Sequence, residues 1–266
     1  MPVFLFALSQ SGTIYLNKSI LIFFILHFLV YPASNGYNSY VDKDTTPIGG
    51  LASPLQPTRE LLTITIAMDL TALILSFFIN LFFAMGILLY IIASRAYSSR
   101  AVRLKRFPVI GFITVFIFQG AHVFLITFFA LNNSALTHFI ILPAVISSLL
   151  IGALYPLTQV YQHKEDEQDG VRTLSMLLGK RGTFIFSMIF FFLATILFYV
   201  LLKSRQNDAD AFLIYLLIML PVVLFFLYWM IKVWKNANEA NFRNSLTMNV
   251  LATFCTILFF LILIIK

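Results

Sequence analysis

Apolar residues run along this chain in blocks of about 20, separated by short charged or polar stretches. Within the blocks, apolar and polar positions do not alternate. An uncharged apolar run of that length is what a helix needs to cross a bilayer. Lipid offers the backbone no hydrogen-bond partners, so such runs are helices unless they close a barrel. Barrel strands would alternate, and these runs do not. The pattern predicts full spans at 17–37, 60–78, 80–96, 109–130, 136–160, 182–202, 211–234 and 246–265. A further apolar segment at 3–9 is too short to cross and reads as the tail of a span whose first half is absent. The expected fold class is an all-α integral membrane protein of nine helices, the first incomplete, with eight full spans. No linker separates the spans, so 1–266 reads as one transmembrane domain.

Composition strengthens this reading. The chain is 60% hydrophobic and 11% charged, with a mean hydropathy of +0.92. Soluble domains are not this apolar. The net charge of +7 is no nucleic-acid signature, because the basic residues sit in short loops. Loops at 42–60, 95–106, 162–181 and 232–243 hold 14 of the 18 Lys and Arg residues. Alternating spans put those loops on one side, and the positive-inside rule makes that side cytoplasmic. The start, MPVFLFALSQ, lacks the basic n-region of a signal peptide. Cys255 is the single cysteine and lies in the last span, which excludes an intramolecular disulfide. Trp229 and Trp234 fit an aromatic belt at the membrane interface.

Three polar stretches remain, all on the side predicted to be cytoplasmic. In YPASNGYNSYVDKD (31–44), a helix continuing past Pro32 would put Asn35, Asn38 and Asp42 on one face. All three offer oxygen, as a hard cation such as Mg²⁺ requires, and Asp44 follows. The same residues could simply cap a helix end. In YQHKEDEQDGVRTLSMLLG (161–179), Gln162, Asp166 and Gly170 line one face, and Glu165 and Asp169 form an adjacent pair. Four carboxylates in five residues repel one another. A solvated loop would screen that repulsion, and a bound cation would relieve it. Arg172 follows and could meet an anion. Between them, YSSRAVRLKRFP (97–108) carries Arg100, Arg103, Lys105, Arg106 and the Tyr97 hydroxyl. Carboxylates for a metal and bases for the remaining phosphate charge are what a Mg²⁺-bound diphosphate needs. Asp69 lies inside a span, where a carboxylate is costly. It faces either a cavity or a hydrogen-bonding partner.

These three stretches, in this order, resemble the signatures of the UbiA superfamily of intramembrane prenyltransferases. The N-D-x-x-D type motif is matched by Asn38-Ser-Tyr-Val-Asp42, with Asp44 nearby. The D-x-x-x-D-x-x-x-G type motif is matched by Gln162 to Gly170, followed by Thr173 and an apolar run ending in Leu178-Gly179. The Y-S and R-L-K elements are matched by Tyr97, Ser98, Arg103, Leu104 and Lys105. The resemblance covers nearly the whole chain and implies a nine-helix bundle. It implies a Mg²⁺-dependent transfer of an isoprenoid chain from an allylic diphosphate to an aromatic or other lipophilic acceptor. By that resemblance Asn38, Asp42, Asp44, Gln162, Asp166 and Asp169 hold metal. Asn35, Tyr97, Arg103, Lys105 and Arg172 meet the diphosphate. The partners implied are the isoprenyl diphosphate donor, the acceptor and the lipid bilayer, with no nucleic acid. The expected location is a bacterial-type inner membrane with the motif loops cytoplasmic. Ser39 and Gln162 depart from the family pattern, each replacing a carboxylate. The alternative is a non-catalytic lipid-binding relative or a small transporter. A transporter would more often gather its polar groups near the bilayer midplane.

Overall fold

The structure is a computed structural model that describes residues 1–43, 47, 49–132, 140–206 and 209–266. Among these residues the regular elements are all helices. Ten are numbered here: α1 (Pro2–Ser9), α2 (Leu16–Asp42), α3 (Arg59–Phe77), α4 (Leu81–Ser98), α5 (Pro108–Leu131), α6 (Ile141–Thr158), α7 (His163–Gln168), α8 (Leu174–Gln206), α9 (Ala209–Lys235) and α10 (Phe242–Ile265). Eight of them, α2 to α6 and α8 to α10, are long and apolar enough to cross a membrane. Their outer faces carry exposed apolar side chains such as Phe28, Leu70, Phe78, Phe192 and Phe254. In water that would be a liability; in lipid it is the solvated surface.

Two spans bend for identifiable reasons. In α2 the segment Ile25–Val30 is π-helical and runs straight into Tyr31–Asp42. Pro32 lacks an N–H and crowds the carbonyl one turn back. The wider π turn just before it absorbs that misfit, so the helix continues to Asp42. In α5 the π segment is Phe116–His122. Its Ala121 amide is taken up by Ser148 Oγ of α6 at 2.9 Å. A Cβ at Gly120 would sit 2.4 Å from Ser148 Cα, so only glycine allows these helices to touch there. Small residues at such crossings are how membrane helices gain close packing.

The helix of the predicted sixth span starts earlier than its apolar run. The sequence suggests 182, but α8 begins at Leu174 and bends at Gly179, where φ is 67° and ψ 166°. That conformation is essentially reserved for glycine. Lys180 and Arg181 hid the continuation, because they look like loop residues. Their side chains instead tie α8 to the α9–α10 connection. Lys180 Nζ donates to Ala237 O at 3.0 Å, and Arg181 to Trp234 O at 2.8 Å. The expected belt role of Trp229 is corrected: it is fully buried, and its Nε1 donates to Glu239 O at 2.7 Å. Segment 136–139 of the predicted fifth span lies outside the described residues.

The short α1 is buried within the bundle. Phe6 stacks on Phe260 with centroids 4.7 Å apart and packs on Phe124 and Phe198 at 5.3 and 5.2 Å. It joins α5, α8 and α10 around one apolar core. The four basic loops gather at one end of the bundle, where ion pairs and hydrogen bonds connect them. A cavity of about 780 Å³ reaches from that end into the core.

Candidate functional site

The last turns of α2 form the first wall of the cavity. Helical spacing puts Asn35, Asn38 and Asp42 on one face, and all three line it. Lys43 closes the helix in the left-handed region, at φ 55°. Asn38 Oδ1 accepts a hydrogen bond from Ser98 Oγ of α4 at 2.7 Å. Asp42 is 5% exposed at its side chain. Its Oδ2 accepts from Lys105 Nζ, and the Arg103 guanidinium lies 3.7 Å from Oδ1. Oδ1 is buried with no hydrogen-bond partner among the described residues.

The loop after α4 supplies the bases. Arg103 sits at φ 50°, and a 3-10 turn, Leu104–Arg106, follows. A non-glycine residue there costs roughly 1–2 kcal/mol. The strained backbone turns the Arg103 side chain inward, to 9% exposure, where it joins Asp169 and approaches Asp42. Arg100 donates to Asp169 Oδ1 at 2.9 Å and to Val41 O at 3.2 Å. The first acidic motif, the basic loop and the second acidic motif are therefore joined by ion pairs.

The second motif is α7 and its exit. Gly170, at φ 67°, ends the helix, and Val171 N returns to Asp166 O at 2.8 Å. Gln162, Glu165, Asp166 and Asp169 all line the cavity. His163 holds α7 against α8 through Ser175, with Nε2 and Oγ 2.7 Å apart. Burial, and secondarily the charge of Lys180, push its pKa down to about 4. It is therefore neutral at neutral pH and adds no cation to the site. Arg172 is exposed and lies outside the cavity lining. Asp44 lies outside the described residues.

Sequence reasoning missed Tyr155 and Gln159. Both line the cavity, and the Tyr155 hydroxyl is hydrogen-bonded to that of Tyr97. Gln159 Oε1 is buried without a partner among the described residues. The available signal was a tyrosine followed by proline at the end of an apolar span, easily read as packing in a chain with 11 Tyr and 30 Phe. Asp69, on α3, does not line this cavity, but it borders Ser34 and Tyr90, which do. It takes a hydrogen bond from Arg95 Nε at 2.9 Å.

The donors suit Mg²⁺ in one specific way. Among the described residues no group of three or more His, Cys, Asp or Glu could hold a metal by itself. Mg²⁺ seldom needs such a cage; it keeps waters and uses one or two carboxylates plus substrate phosphates. Asp42 and Asp166 would supply the carboxylates and Asn38 and Gln162 amide oxygens, and Asp42 Oδ1 is buried without a hydrogen-bond partner among the described residues. The residues fit a metal that shares its coordination with a phosphate ligand.

Comparison with known proteins gives a consistent result. A family model described as the UbiA prenyltransferase family matches residues 1–264. Among solved structures, a UbiA homologue from Archaeoglobus fulgidus bound to GPP and Mg²⁺ is 16% identical, with a TM-score of 0.66 over 100% of this chain and 96% of that one. A UbiA homologue from Aeropyrum pernix K1 is 17% identical, with a TM-score of 0.67 over 97% and 96% of the two chains. A structure described for digeranylgeranylglyceryl phosphate synthase is 21% identical, with a TM-score of 0.64 over 100% and 92%. No curated protein matches the chain.

Proposed function

From its membership of the UbiA prenyltransferase family, to which this chain belongs, we propose that it transfers an isoprenoid chain from an allylic diphosphate to a lipophilic acceptor inside the membrane, with Mg²⁺. The observation that carries this reading is one convergence: Asp42, Lys105 and Asp166, from three separate sequence stretches, line a single cavity that runs into an apolar core. The A. fulgidus homologue bound to GPP and Mg²⁺ supports the choice of donor and metal.

The reaction breaks the allylic C–O bond, and its electron pair leaves with the diphosphate. A bond then forms between the allylic carbon and the acceptor, which gives up a proton. Lys105 faces the charge that develops on the leaving group, and Arg103 stands behind it. Prepositioned positive charge of this kind is the largest single contribution in many active sites. Asn38, Asp42, Gln162, Asp166 and Asp169 would hold the metal, which, when bound, supplies Lewis-acid neutralisation of the diphosphate. The apolar walls keep water from the allylic cation. Leu150, Leu154, Met219 and Val222 are among them. The four basic loops and both acidic motifs would face the cytoplasm of a bacterial-type inner membrane.

A second reading, a lipid binder without turnover, draws on the ion pairs that occupy Asp42 and Asp169 and on the absent carboxylates at Ser39 and Gln162. One experiment separates the two. The purified protein is given allylic diphosphates and phenolic acceptors, with Mg²⁺ or a chelator, and diphosphate release is followed. Mg²⁺-dependent release, reduced at least about 100-fold in Asp42→Ala and Asp166→Ala, is the expected result. Mg²⁺-dependent diphosphate binding without release for any acceptor would establish the second reading.

A further inference from the structure

The cavity has a second polar zone, well inside the bundle, that differs in kind from its mouth. Four lining residues from four helices define it: Ser34 on α2, Tyr90 on α4, Gln119 on α5 and Ser187 on α8. Ser34 is eight residues before Asp42, Tyr90 eight before Ser98, and Ser187 eight after Gly179. At 1.5 Å per residue that places each roughly 12 Å below the charged end of its helix. Gln119 is eleven residues into α5, at a comparable depth. The Tyr90 hydroxyl is within hydrogen-bonding reach of Ser34 and Gln119. Ser34 Oγ pairs with Ser94 Oγ at 2.6 Å. Ser187 is 2% exposed, and its Oγ has no hydrogen-bond partner among the described residues. A buried hydroxyl left without a partner is costly and calls for an explanation. A ligand polar group is one that the cavity itself supplies.

The charges around this zone are as informative as its hydroxyls. Among the described residues that line the cavity, Lys105 carries the only basic side chain, and it is already paired with Asp42. Asp42, Glu165, Asp166 and Asp169 line the same cavity at its mouth. A carboxylate or phosphate on an acceptor held at the inner zone would meet no unpaired basic side chain in the cavity lining, and Arg95, which borders Ser34 and Tyr90 from outside that lining, is held by Asp69. It would have to shed its water into an apolar chamber that already bears an excess of negative side chains.

Building on the transferase reading, we propose that the inner zone is the acceptor site and that it selects an uncharged, hydroxyl-bearing lipophile, such as a phenol, quinol or alcohol, over carboxylate- or phosphate-bearing acceptors. The Tyr90–Ser34–Gln119 group and the Ser187 hydroxyl give and accept the hydrogen bonds such a molecule needs. They offer nothing to neutralise an anion.

The test compares matched pairs that differ in one ionised group: methyl 4-hydroxybenzoate against 4-hydroxybenzoate, and a long-chain alcohol against its phosphate monoester. Equilibrium binding to the full chain in detergent is measured with an allylic diphosphate and Mg²⁺ present. The neutral member of each pair should bind at least about 100-fold more tightly. Ser187→Ala should weaken that binding about fivefold and leave diphosphate affinity unchanged. This variant removes a hydroxyl that bonds nothing among the described residues, so the fold is spared. Tyr90→Phe should act in the same direction. Equal or tighter binding of the anionic members, or no binding of either member, would overturn the proposal. Diphosphate release in the same samples reports separately on the transferase reading: neutral-selective binding without release would sink that reading and leave the site standing.

Discussion

Asp69→Leu should destabilise the protein by an amount that Arg95→Met largely restores. Asp69 on α3 and Arg95 on α4 form an ion pair between two spans, with side chains 13% and 21% exposed. Arg95 also donates to Thr65 O at 3.3 Å and lies 3.9 Å from the centroid of Tyr37 on α2. Its remaining nitrogen has no partner among the described residues. Breaking a buried pair by removing one member costs about 3–5 kcal/mol, chiefly for the charge left behind. Here the exposed fifth of Arg95 and its contact with Tyr37, worth about 1 kcal/mol, lower the figure to about 2–3 kcal/mol. Taking out both charges removes the stranded cation, so the double variant should lie within about 1 kcal/mol of the parent. Thermal unfolding in detergent reads the difference. At about 2–4 °C per kcal/mol for a chain of this size, Asp69→Leu should lose about 4–12 °C, and the double variant should recover most of it. An unchanged Tm in Asp69→Leu, or strictly additive losses, would refute the account. The pair would then be an ornament of the headgroup region and not the clamp that holds α2, and with it Asn38 and Asp42, against α3 and α4.

Two further outcomes can be stated. Gln162→Asp adds a carboxylate where the family motif has one, and should lower the Mg²⁺ concentration for half-maximal diphosphate binding by about tenfold. Equal Mg²⁺ curves for parent and variant would remove Gln162 from the metal's surroundings. Ser99→Cys, beside the basic loop, should react with an impermeant thiol reagent applied from the cytoplasmic side of sealed vesicles and not from the other. Labelling only from the other side would reverse the orientation.

Much of the fold was legible because the bilayer leaves few choices. Arg59–Phe77 and Phe242–Ile265 had to be helices, and their apolar length set their ends within a few residues. The start of α8 was not legible. Lys180 and Arg181 follow Gly179 directly and read as loop, and the glycine's backbone conformation lets the helix continue through the bend. At the site, the residue types at 38, 42, 162 and 166 announced oxygen donors. What they could not announce was pairing. Lys105 and Asp42 are 63 positions apart, and Arg103 and Asp169 are 66. Charge counting along loops says that cations and anions share an end of the bundle, not which ones meet. Tyr155 was hidden for a different reason: aromatic side chains are so common here that one more carries no signal until its hydroxyl is seen facing Tyr97.

The pairing of the basic loop with both acidic motifs also sets a condition on entry. A divalent cation coming by itself would have to dislodge Lys105 from Asp42, or Arg100 and Arg103 from Asp169. A phosphate coming by itself would have to pull the same side chains away and leave carboxylates facing one another. A cation and a diphosphate arriving as one complex exchange both sets of partners in a single move, and no charge is stranded. On the proposed function, the mouth of the cavity would act as a coincidence gate, closed to stray ions of either sign and open to the metal–diphosphate pair together.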